Sequence, residues 1–171
     1  MNARTKLALD APDGVARVAH GGDAGCDLEA LVCDSVSMVS AQPADHVFVI
    51  EPPSRPVTVV GNGDTLRPLI AAALGALVGL EPGGATIHLW TVVRPIGARD
   101  WGAIRMRQSR ADGGWTWELA HSVVAEVFAS IEAAGAKVEL AVDAGGAVAL
   151  TVWLPLMAGT TPDASDRGRR S

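Results

Sequence analysis

The sequence predicts an α/β protein, an α+β two-layer sandwich with three helices on one face of a mixed, mostly antiparallel sheet. Three segments carry apolar side chains at three- and four-residue steps, which is typical of helices. Six shorter segments have the two-residue alternation or the β-branched composition of strands. Their order along the chain is α, β, β, α, β, β, α, β, β. Strands that arrive in adjacent pairs between helices favour a single layered sheet.

The first helix is predicted to begin at Asp27, whose carboxylate suits a helix N-cap. Its apolar stripe runs to Val39, and Gln42-Pro43 ends it because the residue before a proline disfavours helical geometry. Residues 46–51 and 56–60 follow as two short strands separated by prolines.

The second helix is predicted to start with Thr65 as its N-cap, which puts Pro68 at the third helical position, where no intrahelical hydrogen bond is lost. It is apolar around much of its circumference, so deep burial is expected. Residues 81–84 end it. Residues 86–93 and 101–108 are the next two strands.

The last third of the chain contains a helix, a glycine and a hairpin. The helix begins near Trp117 and is expected to end at Gly135, the residue type that favours the left-handed position after a helix. Two alternating segments then flank the turn Asp143-Ala144-Gly145-Gly146, as in a β-hairpin.

Length and charge restrict the domain organisation and the partners. With 171 residues, one domain is expected: a flexible arm over residues 1–25, the sandwich over residues 26–157 and a disordered polar tail over residues 158–171. The net charge of −5 argues against a nucleic-acid surface.

Neither a membrane segment nor a secretion signal is predicted. The longest apolar run, residues 69–80, is too short to cross a bilayer, and no apolar stretch follows the basic residues at the start. On a helix, Cys26 and Cys33 would lie about 10 Å apart, too far for a disulfide. Reduced thiols and a cytoplasmic location are therefore expected.

These segments together resemble the histidine-kinase-type (GHKL) ATP-binding domains over residues 26–156. The resemblance lies in four stretches: Cys26-Asp27-Leu28-Glu29-Ala30-Leu31, Val57-Thr58-Val59-Val60-Gly61 with Asp64 and Arg67 after it, Pro82-Gly83-Gly84-Ala85-Thr86-Ile87, and Ala149-Leu150-Thr151-Val152-Trp153-Leu154-Pro155-Leu156. It implies the histidine-kinase ATPase sandwich.

The nucleotide motifs that the resemblance implies are not retained. The second helix should carry the N-box asparagine that helps hold Mg²⁺, a cation that needs oxygen ligands, but Leu74 or Gly75 takes its place. The adenine-binding aspartate after the fourth strand is replaced by Gln108. The glycine motif of the ATP lid reads Trp115-Thr116-Trp117-Glu118-Leu119, which is a poor phosphate cradle.

Asp112-Gly113-Gly114 lies four residues beyond the position of that aspartate. It is interpreted first as a turn, and as a displaced adenine contact only if nucleotide binds. The scattered histidines have no metal-ligand spacing, so neither a metal site nor a catalytic residue is assigned.

By resemblance, the working context is bacterial two-component or phosphorelay signalling. With the motifs lost, we expect a cofactor-free pseudokinase that binds a protein, such as a histidine kinase, a response regulator or a sigma-factor regulator. Two alternatives stay open. One is an active ATP-binding subunit of a split sensor histidine kinase, using ATP with Mg²⁺. The other is a histidine phosphotransfer protein with His20 or His121 as the acceptor.

One group of residues indicates a binding surface. If the apolar faces of the strands meet the helices, Trp90, Trp153, Arg105 and Arg107 lie on the opposite face of the sheet. Tryptophan and arginine are enriched at protein-binding hot spots, and an arginine can stack on an indole ring. The alternative interpretation is that the arginine stems, or residues 1–25, simply cover the tryptophans.

Overall fold

Three helices pack on one face of a five-stranded sheet. The computed structural model describes residues 25–40, 46–80, 84–108 and 115–158. The elements are β1 (Gly25–Asp27), α1 (Leu28–Ser40), β2 (Val47–Glu51), β3 (Thr58–Val60), α2 (Gly63–Gly79), β4 (Thr86–Ile96), β5 (Arg99–Gln108), α3 (Trp117–Ala133), β6 (Lys137–Val142) and β7 (Val148–Pro155).

The main sheet has the strand order β2-β4-β5-β7-β6, with β2 parallel to β4 and the other pairs antiparallel. The predicted mixed, mostly antiparallel sandwich is confirmed. The prediction of a single sheet is wrong in one respect, because β3 leaves the main sheet and pairs with β1. A strand as short as β1 carries too little alternation to be recognised in the sequence.

The main core lies between the helices and one face of the sheet. The helix α2 is the most deeply buried, as its apolar circumference predicts, and inward-facing residues of the strands meet it. The largest fully buried side chains of this core are Leu28, Ile70, Leu74, Leu77, Ile87, Leu89, Ile104, Met106, Ile131, Leu150 and Leu154. No helix in the described part of the chain is long and apolar enough to cross a membrane.

The helix starts follow side-chain capping, with one correction. The Asp27 carboxylate accepts from the Glu29 and Ala30 N–H groups at 2.8 and 3.1 Å, as predicted for α1. In α2 the N-cap is Asn62 and not Thr65, because the Asn62 side chain accepts from the Asp64 N–H at 2.8 Å. Pro68 therefore lies inside the helix and leaves the exposed Asp64 carbonyl without its i+4 donor.

The helix α3 ends where glycine was expected to end it. Gly135 has φ +80°, its N–H donates to the Glu132 carbonyl at 2.9 Å, and the Ala136 N–H donates to the Ile131 carbonyl at 3.3 Å. This pair of bonds is a Schellman motif, which satisfies carbonyls that the last turn leaves free.

The strands β4 and β5 form a hairpin and are longer than predicted. Both strands continue past residues 93 and 101 to a tight turn at Gly97, which has φ +63°. Pro95 is tolerated because β4 extends beyond the end of β2 there and has only β5 as its neighbour.

Candidate functional site

The face of the sheet opposite the helices carries its own side chains, and we call it the open face. Its apolar residues form a cluster separate from the main core, made of Trp101, Ala103 and Trp153 with Val92 and Ile96. The strand registers place all four predicted binding residues on this face. Its alternating positions include Val47, Val49, Glu51, His88, Trp90, Val92, Arg94, Trp101, Ala103, Arg105, Arg107, Lys137, Glu139, Ala149, Thr151 and Trp153.

Trp153 is covered although it lies on the open face. Only 3% of its surface is exposed, and the guanidinium carbon of Arg94 stands 4.3 Å from the centre of its ring. Arg94 is paired in turn with Glu139 at 3.4 Å. The Nζ atom of Lys137 covers Trp101 at 4.8 Å. Cationic side chains therefore shield these two indoles from water. Neither Arg94 nor Lys137 is one of the arginines that the sequence analysis considered as a cover.

Trp90 and Arg105 form a more accessible pair. They are directly opposite each other on β4 and β5, with the Arg105 guanidinium carbon 5.4 Å from the centre of the Trp90 ring. Trp90 is half-buried and Arg105 is exposed. Within the described ranges, Arg105 forms no ion pair with a carboxylate.

Arg107 lies next to this pair and is held in place by a carboxylate. Its Nη2 atom donates to Asp143 Oδ2 at 2.8 Å. That hydrogen bond, together with N–H donation from Ala147, lowers the pKa of the Asp143 carboxyl below its ordinary value. Asp143 therefore stays charged at neutral pH and orients Arg107.

A depression lies beside the Trp90–Arg105 pair, with a volume of about 410 Å³ and a lining of Glu51, His88, Trp90 and Arg107. This is within the size range of small-ligand and side-chain pockets. Sequence analysis did not find the roles of Glu51 and His88. Glu51 reaches the site because β2 pairs in parallel with β4, which places it beside Trp90, and no local pattern indicates that pairing.

The positions to which the sequence resemblance assigns the nucleotide motifs lie on the helix side. Leu74 is fully buried in the core, and Gly75 faces open space. At the start of α3, Thr116 is an ordinary N-cap, whose hydroxyl accepts from the Leu119 N–H at 3.4 Å. Trp117 is 47% exposed and stacks on His121 at 4.7 Å. The start of α3 is therefore a capped helix terminus with a stacked Trp117–His121 pair on its first turns.

Gln108 is the unexpected residue of this region. It is fully buried, and neither its Oε1 nor its Nε2 atom has a hydrogen-bond partner among the described residues. The buried Trp115 Nε1 atom likewise has no partner in that part of the chain. An unpaired buried amide costs free energy, so Gln108 is suited to a polar ligand or to water. The two residues flank positions 109–114, and the predicted Asp112, Gly113 and Gly114 lie outside the described residues.

The remaining reactive groups form no further cluster. In the ranges that the structure describes, no three His, Cys, Asp or Glu side chains are placed to hold a metal ion. Cys26 and Cys33 are both free thiols, and Cys26 donates to the Gly61 carbonyl at 2.9 Å. His20 lies outside the described residues.

Comparison with known proteins finds solved structures of histidine kinases that share the fold of this chain. No protein-family model matches it. No curated protein matches it. The ATP-binding domain of PrrB from Mycobacterium tuberculosis matches with a TM-score of 0.55 and 19% identity over 80% of this chain and 98% of that one. The mycobacterial sensor histidine kinase MprB matches with a TM-score of 0.54 and 15% identity over 79% and 98%.

The cytoplasmic segment of histidine kinase QseC also matches, with a TM-score of 0.54 and 19% identity over 80% of each chain. At these identities the likeness concerns the fold. It agrees with the histidine-kinase ATPase-like sandwich that the sequence resemblance predicted.

Proposed function

From its fold, which is that of histidine-kinase (GHKL) ATP-binding domains, we propose that this chain is a non-catalytic protein-binding module of bacterial two-component or phosphorelay signalling. Its partner would be a protein such as a histidine kinase, a response regulator or a sigma-factor regulator. The observation that carries the proposal is the accessible Trp90–Arg105 pair on the open face, beside a depression.

The chemistry of this pair supports a binding role. An indole ring supplies a large rigid contact surface, and a stacked guanidinium that pairs with no carboxylate of the described residues supplies a directed charge. The chain as a whole has a net charge of −5, so this exposed arginine is a local exception that would attract a carboxylate of a partner. The buried Leu74 at the N-box position supports the absence of catalysis, because it cannot ligate Mg²⁺.

Capture of a purified partner tests the binding surface. With wild-type protein immobilised, each purified kinase and response regulator of the source bacterium is passed over it and the dissociation constant is measured. Trp90→Ala and Arg105→Glu are each expected to weaken capture of the cognate partner by at least about tenfold, since truncated hot-spot residues cost more than about 1 kcal/mol.

The matched control is Glu132→Arg, a charge change at an exposed position of α3 on the other side of the sheet. It should leave capture unchanged. Circular dichroism and thermal unfolding check that all three variants are folded. Capture that survives both open-face substitutions would remove this face from the proposal.

A second candidate function, favoured by the unpaired Gln108 amide, is nucleotide-base binding without hydrolysis. An amide can donate and accept at once, so it can pair with the edge of a purine base. The Gln108 amide suits a base, but α2 presents no oxygen ligand for the metal at Leu74 or Gly75. ATP would then bind with the same affinity with and without Mg²⁺.

Calorimetric titration separates the two candidates. If the base site is used, millimolar or tighter ATP binding should be insensitive to Mg²⁺ and should be lost in Gln108→Leu, a variant of similar volume that removes the buried polar group. Absence of heat and of thermal stabilisation at millimolar ATP would reject nucleotide binding and leave the protein-binding proposal standing.

A further inference from the structure

The two edges of the main sheet differ in how they are protected. On the edge strand β6, the open-face positions hold Lys137 and Glu139, which contact Trp101 and pair with Arg94. Charged side chains of this kind discourage edge-to-edge association. On the edge strand β2, the corresponding positions hold Val47 and Val49, which are 58% and 37% exposed, and one charged residue, Glu51, at its end. Among the described residues, the β2 edge is therefore the less protected of the two.

The backbone of β2 also has hydrogen-bonding groups that point away from β4, its one neighbouring strand among the described residues. The Val47 N–H donates to the Ala85 carbonyl at 3.0 Å, so Val47 faces β4. Because successive residues of a strand point their N–H and C=O groups to opposite sides, Val49 and Glu51 face β4 as well. The N–H and C=O groups of Phe48 and Ile50 then point away from the sheet.

This arrangement is complementary to itself. We propose that two copies of this chain associate through antiparallel β2 strands, with Val49 of each copy on the two-fold axis, so that two five-stranded sheets join into one. Phe48 of one copy then faces Ile50 of the other, twice, and each pair exchanges two N–H···O=C bonds. Every outward-pointing backbone group of these two residues is satisfied, and the two Val49 side chains meet on the joined open face.

Charge and symmetry favour a second copy as the occupant of this edge. Glu51 is the single charged residue of β2, and in this register it lies opposite Val47 of the other copy and not opposite its own counterpart. No like charges meet. The β2–β2 contact also closes on itself as a dimer, whereas β2 pairing with β6 of another copy would continue into an open chain of molecules.

Cysteine cross-linking tests the register. In a Cys26→Ser, Cys33→Ser background, Val49→Cys places two thiols at a non-hydrogen-bonded pair with Cα atoms about 4.5 Å apart, within disulfide range. Val47→Cys is the control, since four residues of strand would separate the two Val47 positions by about 14 Å. Val47 is the more exposed of the two residues, so disulfides formed by random collision would appear more readily in Val47→Cys than in Val49→Cys.

The expected result on a non-reducing gel is a disulfide dimer for Val49→Cys and a monomer for Val47→Cys under mild oxidation. Equal or faster cross-linking of Val47→Cys would overturn the proposed register.

Sedimentation velocity over a concentration series tests the association itself. The wild type is expected to shift towards the dimer as concentration rises, and Val49→Lys should raise the dissociation constant at least about tenfold by placing two ammonium groups together. Val60→Lys is the matched control, because Val60 is 38% exposed but lies on β3 in the small sheet.

A wild type that stays monomeric up to several hundred micromolar, or a Val60→Lys variant that weakens association equally, would overturn the proposal. The dimer contact uses Phe48, Val49 and Ile50 of β2, whereas the Trp90–Arg105 pair lies on the neighbouring strands β4 and β5, and the variants Val49→Lys and Arg105→Glu change different residues. Dimerisation and partner capture can therefore fail independently.

Discussion

Replacing Leu74 by alanine is expected to lower the free energy of unfolding by about 3–5 kcal/mol. Leu74 is fully buried on α2, the most deeply buried helix, where it belongs to the main core between the helices and the sheet. Truncation removes buried apolar atoms and leaves a cavity that close-packed neighbours fill only in part. Urea unfolding followed by circular dichroism measures the change.

The adjacent glycine is the matched control for this substitution. Gly75→Ala should stabilise the protein by about 0.5–1 kcal/mol, because an added Cβ meets nothing within 4 Å and alanine is the better helix former. A loss smaller than about 1 kcal/mol in Leu74→Ala would contradict the deep burial of this part of α2.

Replacing Trp153 by alanine is also expected to cost about 3–5 kcal/mol of stability, the range for buried large aromatic residues. Trp153 is 3% exposed beneath Arg94, in the cluster that fills one end of the open face. Trp90→Ala should cost much less, about 1 kcal/mol, because Trp90 is half-buried and its arginine is exposed. Thermal and urea unfolding compare the two variants.

This comparison separates two roles that the sequence assigns jointly. In the proposed function Trp90 carries binding, whereas the burial of Trp153 makes it a structural residue. A Trp153→Ala variant that is as stable as wild type but fails to capture the partner would reverse that assignment. If a folded Trp90→Ala variant still captured the partner, the assignment of binding to Trp90 would also be contradicted.

Much of the fold follows from local patterns. The stripes on α1, α2 and α3 place the helices, and the two-residue alternation puts Trp90, Arg105, Arg107 and Trp153 on one face. Local rules also located the end of α3 at Gly135 and the turn at Asp143. The predicted N-cap of α2 was wrong by three residues. Asn62 and Thr65 both have side chains that can cap a helix, and the local sequence does not show which of them does so.

The sequence by itself therefore determined the helices, the last hairpin and the faces on which residues of β4, β5 and β7 lie, because periodicity acts between near neighbours. The tertiary structure decided which strands adjoin, and that set the site. Parallel pairing of β2 with β4 brings Glu51 beside Trp90, and it makes β2 an exposed edge. Burial of Trp153 beside an accessible Trp90 depends on side chains from several strands. Contacts between residues far apart in the sequence produce no periodic pattern in the local sequence, so they can be identified only in the folded structure.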